Sequence, residues 1–382
     1  MNRLQSRADS ELTKKHQETN HDLDIVPNIK TMKQIRILML ATALTMGFAT
    51  PISAQAKKAQ VKNTKQTETL KRAALGTITE DAARAHVYFL ADDLLEGRRA
   101  GQRGSRIAKQ YIIAQMRQAG IKPMPGCGYE QPFEACAVQK LKRGVRFYVE
   151  PDSIEKIKKG VHQSMALGNV VGMIPGKNDG EYVVVGAHLD HEGMYPDVEG
   201  DNIYNGADDN ASGVSAVLQI MKAFAESGAK PERNVIFAFW DGEEQGLLGS
   251  KHFVDTFKNI DKVKCYLNFD MVGGNNRPND PPYFVYFYTA SHPILGDWLK
   301  NDIKTYGLRL HPDYRAWDNP VGGSDQSSFH LKGVPIVWYH TDAQPHYNQP
   351  SDEADTINYE KLTDITRASF LTTWHMANET AY

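Results

Sequence analysis

The stretch from Asn169 to Val272 decides the fold, because short apolar runs alternate within it with polar loops and one amphipathic helix. The runs are NVVGMI from Asn169, EYVVVGAH from Glu181, NVIFAFW from Asn234 and CYLNFDMV from Cys265. The helix follows Gly213, where apolar residues recur at helical spacing: Val214, Val217, Leu218, Met221 and Phe224. Runs that are apolar throughout are typical of strands buried on both faces of a parallel sheet.

The same alternation continues on both sides of this stretch. Helical spacing precedes it over Ile78–Leu95 and Arg106–Gly120, and follows it around Pro293–Tyr306 and over Tyr359–Ala377, with the runs PYFVYFY and VPIVWYH in between. The pattern predicts one α/β domain, a three-layer sandwich in which a mostly parallel mixed sheet carries helices on both faces. Six aromatic residues of the runs are expected in its core: Trp240, Tyr266, Phe269, Phe284, Tyr286 and Trp338.

Charge and cysteine content exclude several classes of protein. The 382 residues include 44 Lys and Arg against 46 Asp and Glu, a net charge of −2, so no electrostatic field favours nucleic acid or an anionic membrane. Cys127, Cys136 and Cys265 form no C-x-x-C pair, which argues against a disulfide scaffold and a cysteine-built zinc site. Any metal must therefore be held by His, Asp and Glu.

The amino-terminal part is typical of an exported protein. From Met32 a short basic stretch leads into the apolar run Ile37–Ala49 and a small-residue site, so we interpret residues 32–54 as a signal peptide and residues 1–31 as a start-site artefact. The run is shorter than the roughly 20 residues of a spanning helix, and no stable membrane insertion is expected after cleavage. We therefore expect the protein in the periplasm or outside the cell.

The mature chain is expected to begin with a solvated linker over residues 55–75, which are basic and lack apolar periodicity, and to fold as one domain over residues 76–382. In an oxidising compartment Cys127 and Cys136, nine residues apart, could form a disulfide.

Acidic residues and a histidine stand at the ends of the predicted strands. They are His188 and Asp190, Asp208 and Asp209 before the helix, Glu243 and Glu244, and Asp270. In parallel sheets ligands bind beyond the carboxyl ends of the strands, so these side chains are expected at one edge. Several anions at one edge repel unless cations hold them, and imidazole with carboxylates is a zinc ligand set. The sequence therefore predicts a metal site.

Other motifs do not fit the chain. His188 has no His four residues on, GMIPGK lacks the spacing of a phosphate loop, DNIYNGADDN lacks the alternating acids of a calcium loop, and GGSDQ is not a nucleophile elbow.

Five blocks in one order resemble the co-catalytic zinc aminopeptidases, the group that contains bacterial leucyl aminopeptidases, glutamate carboxypeptidase and glutaminyl cyclase. The blocks are GAHLDH, GADDNASG, DGEEQGLLGS, NFDMVG, and GGSDQSSF followed by HYNQPSDEADTI. The resemblance covers Ile78–Ala377 and includes FLADDLLEGRRAGQRGSRIAKQYI near the start. It implies a zinc exopeptidase-like fold, two zinc ions and a peptide substrate.

Carried over residue by residue, the resemblance assigns roles to six positions. His188 and Asp270 become ligands of one zinc, Glu244 a ligand of the other, and Asp209 the bridging carboxylate. Glu243 becomes the general base that takes a proton from a metal-bound water. Asp190 becomes the carboxylate that orients the ligand imidazole. Asp208 is left as a helix cap or a support of these ligands.

The last block departs from the family pattern. The family has a ligand His four residues before an acid, and counting back four from Asp352 gives Asn348. The imidazole stands instead at His346, which we take as the last ligand, with His340 and the amide oxygen of Asn348 as alternatives. Gln326, where relatives carry His, receives no role.

The resemblance thus implies an exported zinc aminopeptidase that hydrolyses amino-terminal peptide bonds. A carboxypeptidase or dipeptidase on the same metals, a glutaminyl-cyclase-like acyl transferase and a non-catalytic binding protein stay open as alternatives, and the oligomeric state is not predicted.

Overall fold

Four parallel strands lie at the centre of a ten-stranded mixed sheet in the computed structural model, which describes residues 65–140, 144–319, 322–380 and 382. The strands are β1 (Lys122–Pro123), β2 (Glu130–Lys140), β3 (Gly144–Tyr148), β4 (Gln163–Ile174), β5 (Asn178–His188), β6 (Gly193–Met194), β7 (Ile203–Tyr204), β8 (Arg233–Trp240), β9 (Val263–Phe269), β10 (Tyr283–Tyr288), β11 (His311–Ala316) and β12 (Ile336–His340). The order is β11-β10-β12-β9-β5-β8-β4-β2-β3, with β1 beside β4, while β6 and β7 pair separately. The predicted signal peptide, residues 32–54, and residues 1–31 lie outside the described part.

Helices cover both faces of this sheet, as predicted. They are α1 (65–75), α2 (Glu80–Leu90), α3 (Arg103–Gln118), α4 (Pro151–Ile157), α5 (Gly213–Glu226), α6 (Leu248–Thr256), α7 (Ile294–Tyr306), α8 (Gln326–His330) and α9 (Tyr359–Asn378). Helices α2, α3, α5, α7 and α9 contribute to the larger core, on one face. Helices α6 and α8 contribute Phe253, Val254 and Phe329 to the core on the other.

The alternation of side chains along the central strands explains why their sequence is apolar throughout. Val183 and Val185 of β5 lie in the larger core, and Val184 lies in the smaller one. Phe237 of β8 belongs to the larger core and Trp240 to the smaller. Because successive residues of a strand point to opposite faces, a strand covered on both sides needs apolar residues at every position. The six aromatic residues predicted for the core are all buried.

The described part of the expected linker, residues 65–75, is a helix and not a solvated segment. Residues 65–75 are helical, and Ala74, near the end of this helix, is buried in the larger core. Glu68 forms ion pairs with Lys71 and Arg72 one turn on and accepts a hydrogen bond from Tyr306 of α7. Charged pairs at helical spacing and a few small apolar contacts hold this helix, so its sequence shows little apolar periodicity.

The two thiols that could have paired are both free in the structure. Cys136 lies buried within β2 and contacts the Ser164 hydroxyl at 3.6 Å, whereas the Cys127 thiol is near the Met124 carbonyl oxygen. Within the described ranges, no helix has the length and apolar character needed to cross a membrane.

Candidate metal centre

The carboxyl ends of neighbouring parallel strands bring the predicted site residues together. Strands β12, β9, β5 and β8 are adjacent and run in the same direction. His188 ends β5 and pairs in register with Trp240, three residues before Glu243. Ala187 pairs with Phe269, so Asp270 follows at the same level as His188. Sheet register alone therefore places three of the predicted residues at one edge.

The ligand atoms form two groups that share Asp209. In the first, His188 Nε2 lies 3.2 Å from Asp209 Oδ1 and 3.6 Å from Asp270 Oδ1. In the second, His191 Nδ1 lies 2.8 Å from Glu244 Oε1 and 3.9 Å from Asp209 Oδ2. The ligand atoms within each group lie within 4.8 Å of one another, and so do those of a third group, His188, Glu243 and Glu244. Asp209 thus offers a different oxygen to each of two positions.

The turn that carries Asp209 is held from the last sequence block. Asp352 is buried, and its Oδ2 accepts the main-chain N–H of Asp209 at 3.0 Å, while its Oδ1 accepts that of Asp208 at 3.0 Å. Asp208 turns away from both groups: its Oδ1 accepts the N–H groups of Gly273 and Gly274, each at 2.8 Å. Asp208 therefore supports the loop that follows β9.

The carboxylate of Asp190 contacts the main chain of Glu243, the predicted base. Its buried Oδ1 accepts the Glu243 N–H at 3.1 Å and lies 4.0 Å from His188 Nδ1. The Asp190 carbonyl oxygen lies nearer to His188 Nδ1 than the carboxylate does, at 3.2 Å. Asp190 thus meets the His188 ring with its carbonyl group and fixes the Glu243 loop with its carboxylate.

No Lys or Arg neutralises the carboxylates of these groups within the described residues. Asp209, Asp270 and Glu244 form ion pairs with histidines only. Arg98 is buried nearby, but its guanidinium donates to the carbonyl oxygens of Leu90, Leu189, Asn205 and Gly206. Within the described residues these acids thus have no ion pair with Lys or Arg, and burying several carboxylates together in this way is costly.

The groups open into a cavity of about 220 Å³. Its walls include Met271, Trp338, Ala343 and Tyr347, which are largely apolar, and His340 at the end of β12. None of the described residues that line it is Lys or Arg. The cavity is large enough for one or two side chains and too small for a folded partner.

Comparison with known proteins identifies the relatives of this chain. The family model described as peptidase family M28 matches residues 169–373, more than half of the chain. The chain belongs to peptidase family M28. All of the predicted site residues lie within the matched range.

Relatives of this M28 chain include leupeptin-inactivating enzyme 1 of Streptomyces exfoliatus, 31% identical over 172 residues, which are 44% of this chain and 34% of that protein. Leucine aminopeptidase 2 of Trichophyton equinum is 37% identical over 182 residues, 46% of this chain and 34% of that protein. The matched part thus spans about a third of the length of either relative. The LapA aminopeptidase of Legionella pneumophila shares the fold, with a TM-score of 0.60 at 22% identity over 82% of this chain and 74% of that one.

Electrostatics of the M28 site reflect the crowding of its acids. Burial raises the pKa of the Glu243 carboxyl well above its usual range, and the carboxylates of Asp325 and Asp270 act in the same direction. Burial likewise raises the pKa of Glu244 to about 7. Burial opposes a proton on His188, but the nearby carboxylates of Glu243 and Asp270 outweigh it and raise the pKa of His188 well above its ordinary value.

The last block of this M28 chain does not bring its histidine to the groups. His346 belongs to none of the three, and its Nδ1 lies 3.0 Å from the Ser351 hydroxyl oxygen. His340 lines the cavity, with its Nδ1 2.7 Å from the Asp270 carbonyl oxygen. The amide oxygen of Asn348 is buried and has no hydrogen-bond donor among the described residues.

His191 is the residue that sequence reasoning missed. It is fully buried and belongs to the second group, although it does not stand four residues after His188, the spacing of the helical zinc motif. The available signal was its position, three residues beyond a strand end that already carried a ligand.

The residues present fit divalent zinc. Imidazole nitrogens and carboxylate oxygens are its usual ligands besides thiolate, and both groups combine them. Asp209 Oδ1 is buried and lies 3.2 Å from His188 Nε2 without making a hydrogen bond within the described residues, as expected of two atoms placed for a metal.

Proposed function

We propose that this chain is a zinc-dependent exopeptidase that holds two zinc ions at the strand edge and removes residues from the amino terminus of peptides. The proposal rests on the position of Asp209, because its two carboxylate oxygens face two separate groups of ligand atoms. His188, Asp209 and Asp270 would hold one ion, and Asp209 with Glu244 the other. His346 is not carried into this ligand set, because its ring nitrogen contacts Ser351.

The chemistry divides between the ions and the chain. When bound, zinc ions supply a Lewis acid that activates water and polarises a carbonyl group. Glu243 would accept the proton of the attacking water and pass it to the leaving amine, because its carboxyl group lines the cavity beside the ligand atoms of His188 and Glu244. The Asp190 carboxylate would hold Glu243 in place through the main-chain N–H that it accepts.

The cavity supports an aminopeptidase over a carboxypeptidase. Enzymes that bind a carboxyl terminus anchor it with a cationic or multiple hydrogen-bonding group, for which Arg is best suited. The described lining contains neither Arg nor Lys. The relatives named as aminopeptidases support the same choice, and the apolar wall around Met271 and Trp338 suits an apolar side chain at the cleavage point.

Two assays test the proposal. Glu243→Ala should abolish peptide hydrolysis while zinc stays bound, and a variant that keeps substantial turnover would exclude Glu243 as the base. The wild-type protein should not hydrolyse peptides blocked at the amino end, and it should hydrolyse peptides amidated at the carboxyl end. The opposite preference would establish a carboxypeptidase, and cyclisation of amino-terminal Gln with one zinc per chain would establish an acyl transferase.

We propose further that the protein acts after export, in the periplasm or outside the cell. The signal-like pattern over residues 32–54 supports this location. Amino-terminal sequencing of protein recovered from the extracytoplasmic fraction should find a start near Gln55, and recovery of the uncut chain from the cytoplasm would contradict it.

A further inference from the structure

The second ligand group needs an imidazole that the last sequence block does not supply. Zinc sites in proteins favour nitrogen or sulfur ligands beside carboxylates, and Glu244 with Asp209 offers oxygen only. The position that matches the family's last ligand is Asn348, an amide, and His346 lies against Ser351. Among the described residues, His191 offers the imidazole nitrogen that pairs with Glu244, at 2.8 Å, whereas His188 pairs with Asp270 and with the other oxygen of Asp209.

The distances around His191 suit shared coordination. Its Nδ1 is 2.8 Å from Glu244 Oε1 and 3.9 Å from Asp209 Oδ2. Ligands on one tetrahedral zinc lie about 3.3–3.6 Å apart, given metal-to-ligand distances of about 2.0–2.2 Å. In the first group, His188 Nε2 lies 3.2 Å from Asp209 Oδ1 and 3.6 Å from Asp270 Oδ1, which is also close to this separation. The two groups therefore have comparable dimensions on the two sides of Asp209.

The fold fixes the His191 ring independently of Glu244. The His191 N–H donates to the Arg98 carbonyl oxygen at 3.3 Å, and Arg99 and His191 form an isolated parallel bridge. A Cβ at Gly206 would lie 2.5 Å from the ring, so this close approach requires glycine, which also has a φ of +59°. The ring is thus held by packing before any ion binds, as a metal ligand should be.

We infer that His191 ligates the second zinc ion through Nδ1, so that the two imidazoles of the centre come from the end of β5 and the loop that follows it. The inference rests on the proposed two-ion site and names a ligand for it. The competing role is a hydrogen bond from Nδ1–H to Glu244 that only orients this carboxylate. The two roles differ in whether residue 191 bonds the metal.

Cobalt substitution distinguishes the two roles. Nδ1 is the ring nitrogen nearer the backbone, so a cysteine thiolate at position 191 can reach the same ion. His191→Cys loaded with Co²⁺ should show the thiolate-to-cobalt charge-transfer absorption in the near ultraviolet, and His346→Cys, as the matched control, should not. Cobalt-loaded wild-type protein shows how much of this absorption comes from the three native thiols. Two bound cobalt ions in His191→Cys without this band would overturn the inference.

X-ray absorption of the zinc-loaded protein gives a second test that does not depend on the cysteine variant. With both sites filled, wild type should show one imidazole per zinc ion on average, and His191→Ala, at zinc concentrations that also fill both of its sites, should show half that number. In His191→Ala the zinc affinity of the second site should fall by more than about 100-fold. A residue that only orients a ligand costs at most about 100-fold in metal affinity when it is removed. Unchanged imidazole scattering in His191→Ala would overturn the inference and leave the proposed function standing, whereas wild-type protein that binds no zinc would contradict both.

Discussion

The carboxylate of Asp352 accepts the main-chain N–H of Asp209 at 3.0 Å, although 143 residues separate them in the chain. The same carboxylate accepts the N–H of Asp208. The last sequence block thus holds the carboxylate that faces both ligand groups, even though its histidine lies elsewhere.

Removing Asp352 should therefore weaken both the fold and the metal site. Asp352→Ala leaves two buried N–H groups without an acceptor, which costs about 2–4 kcal/mol of unfolding free energy. We also expect zinc affinity to fall by about 10- to 100-fold, the usual effect of losing a group that positions a ligand. Urea unfolding and zinc titration check these values. Asp355→Ala, an exposed acid in the same block, is the control, and equal behaviour of the two variants would contradict this role.

Asp208 and Asp209 are neighbours with opposite expected effects. Asp209→Ala should lower zinc content below that of wild type and leave the metal-free protein as stable or more stable, because it removes one of several repelling acids. Asp208→Ala should keep zinc but cost about 2–4 kcal/mol, because Gly273 and Gly274 lose their acceptor. Metal analysis and unfolding of both proteins separate the roles. Zinc loss in Asp208→Ala alone would reverse the assignment.

Stability of the metal-free protein should fall as pH rises. Burial raises the pKa of Glu244 and that of Asp325 to about 7, above the value of about 4 for an unfolded carboxyl group. A carboxyl group with a raised folded pKa favours the folded state below the unfolded pKa, and this contribution is lost as pH rises through the folded value. The Tm of chelator-treated protein should therefore drop between about pH 4 and pH 7.

Zinc should remove most of this drop, since the metal binds the carboxylate form and its affinity rises over the same interval. Thermal unfolding with and without zinc across the interval measures the effect. If the Tm of the metal-free protein rises with pH, other titrating groups determine the pH dependence of stability.

His346 should be dispensable for metal binding. Because its ring nitrogen contacts Ser351 and not the ligand groups, His346→Ala should keep the zinc content and the turnover of wild type within about twofold. His188→Ala, made in parallel, should lose the ion of the first group together with activity. Loss of zinc in His346→Ala would restore the sequence interpretation of this residue as the last ligand.

Strand periodicity was sufficient to predict the sheet and one edge of the site. His188 and Asp270 follow apolar runs, and parallel strands bring such ends together whatever the loops do. The position of His346 could not be predicted, because it depends on the path of the loop after β12, in which Asp342 and Asn348 have positive φ. His191 was missed because its place in the second group depends on a close approach to Gly206 that spacing does not reveal.

Reconstitution with zinc shows how many ions the chain needs for hydrolysis. Protein stripped of metal and titrated with zinc should bind two ions per chain, and hydrolysis of unblocked peptides should rise from zero to its full value only as the second ion binds. Full peptidase activity in the stripped protein, or the absence of zinc binding by wild type, would contradict the account.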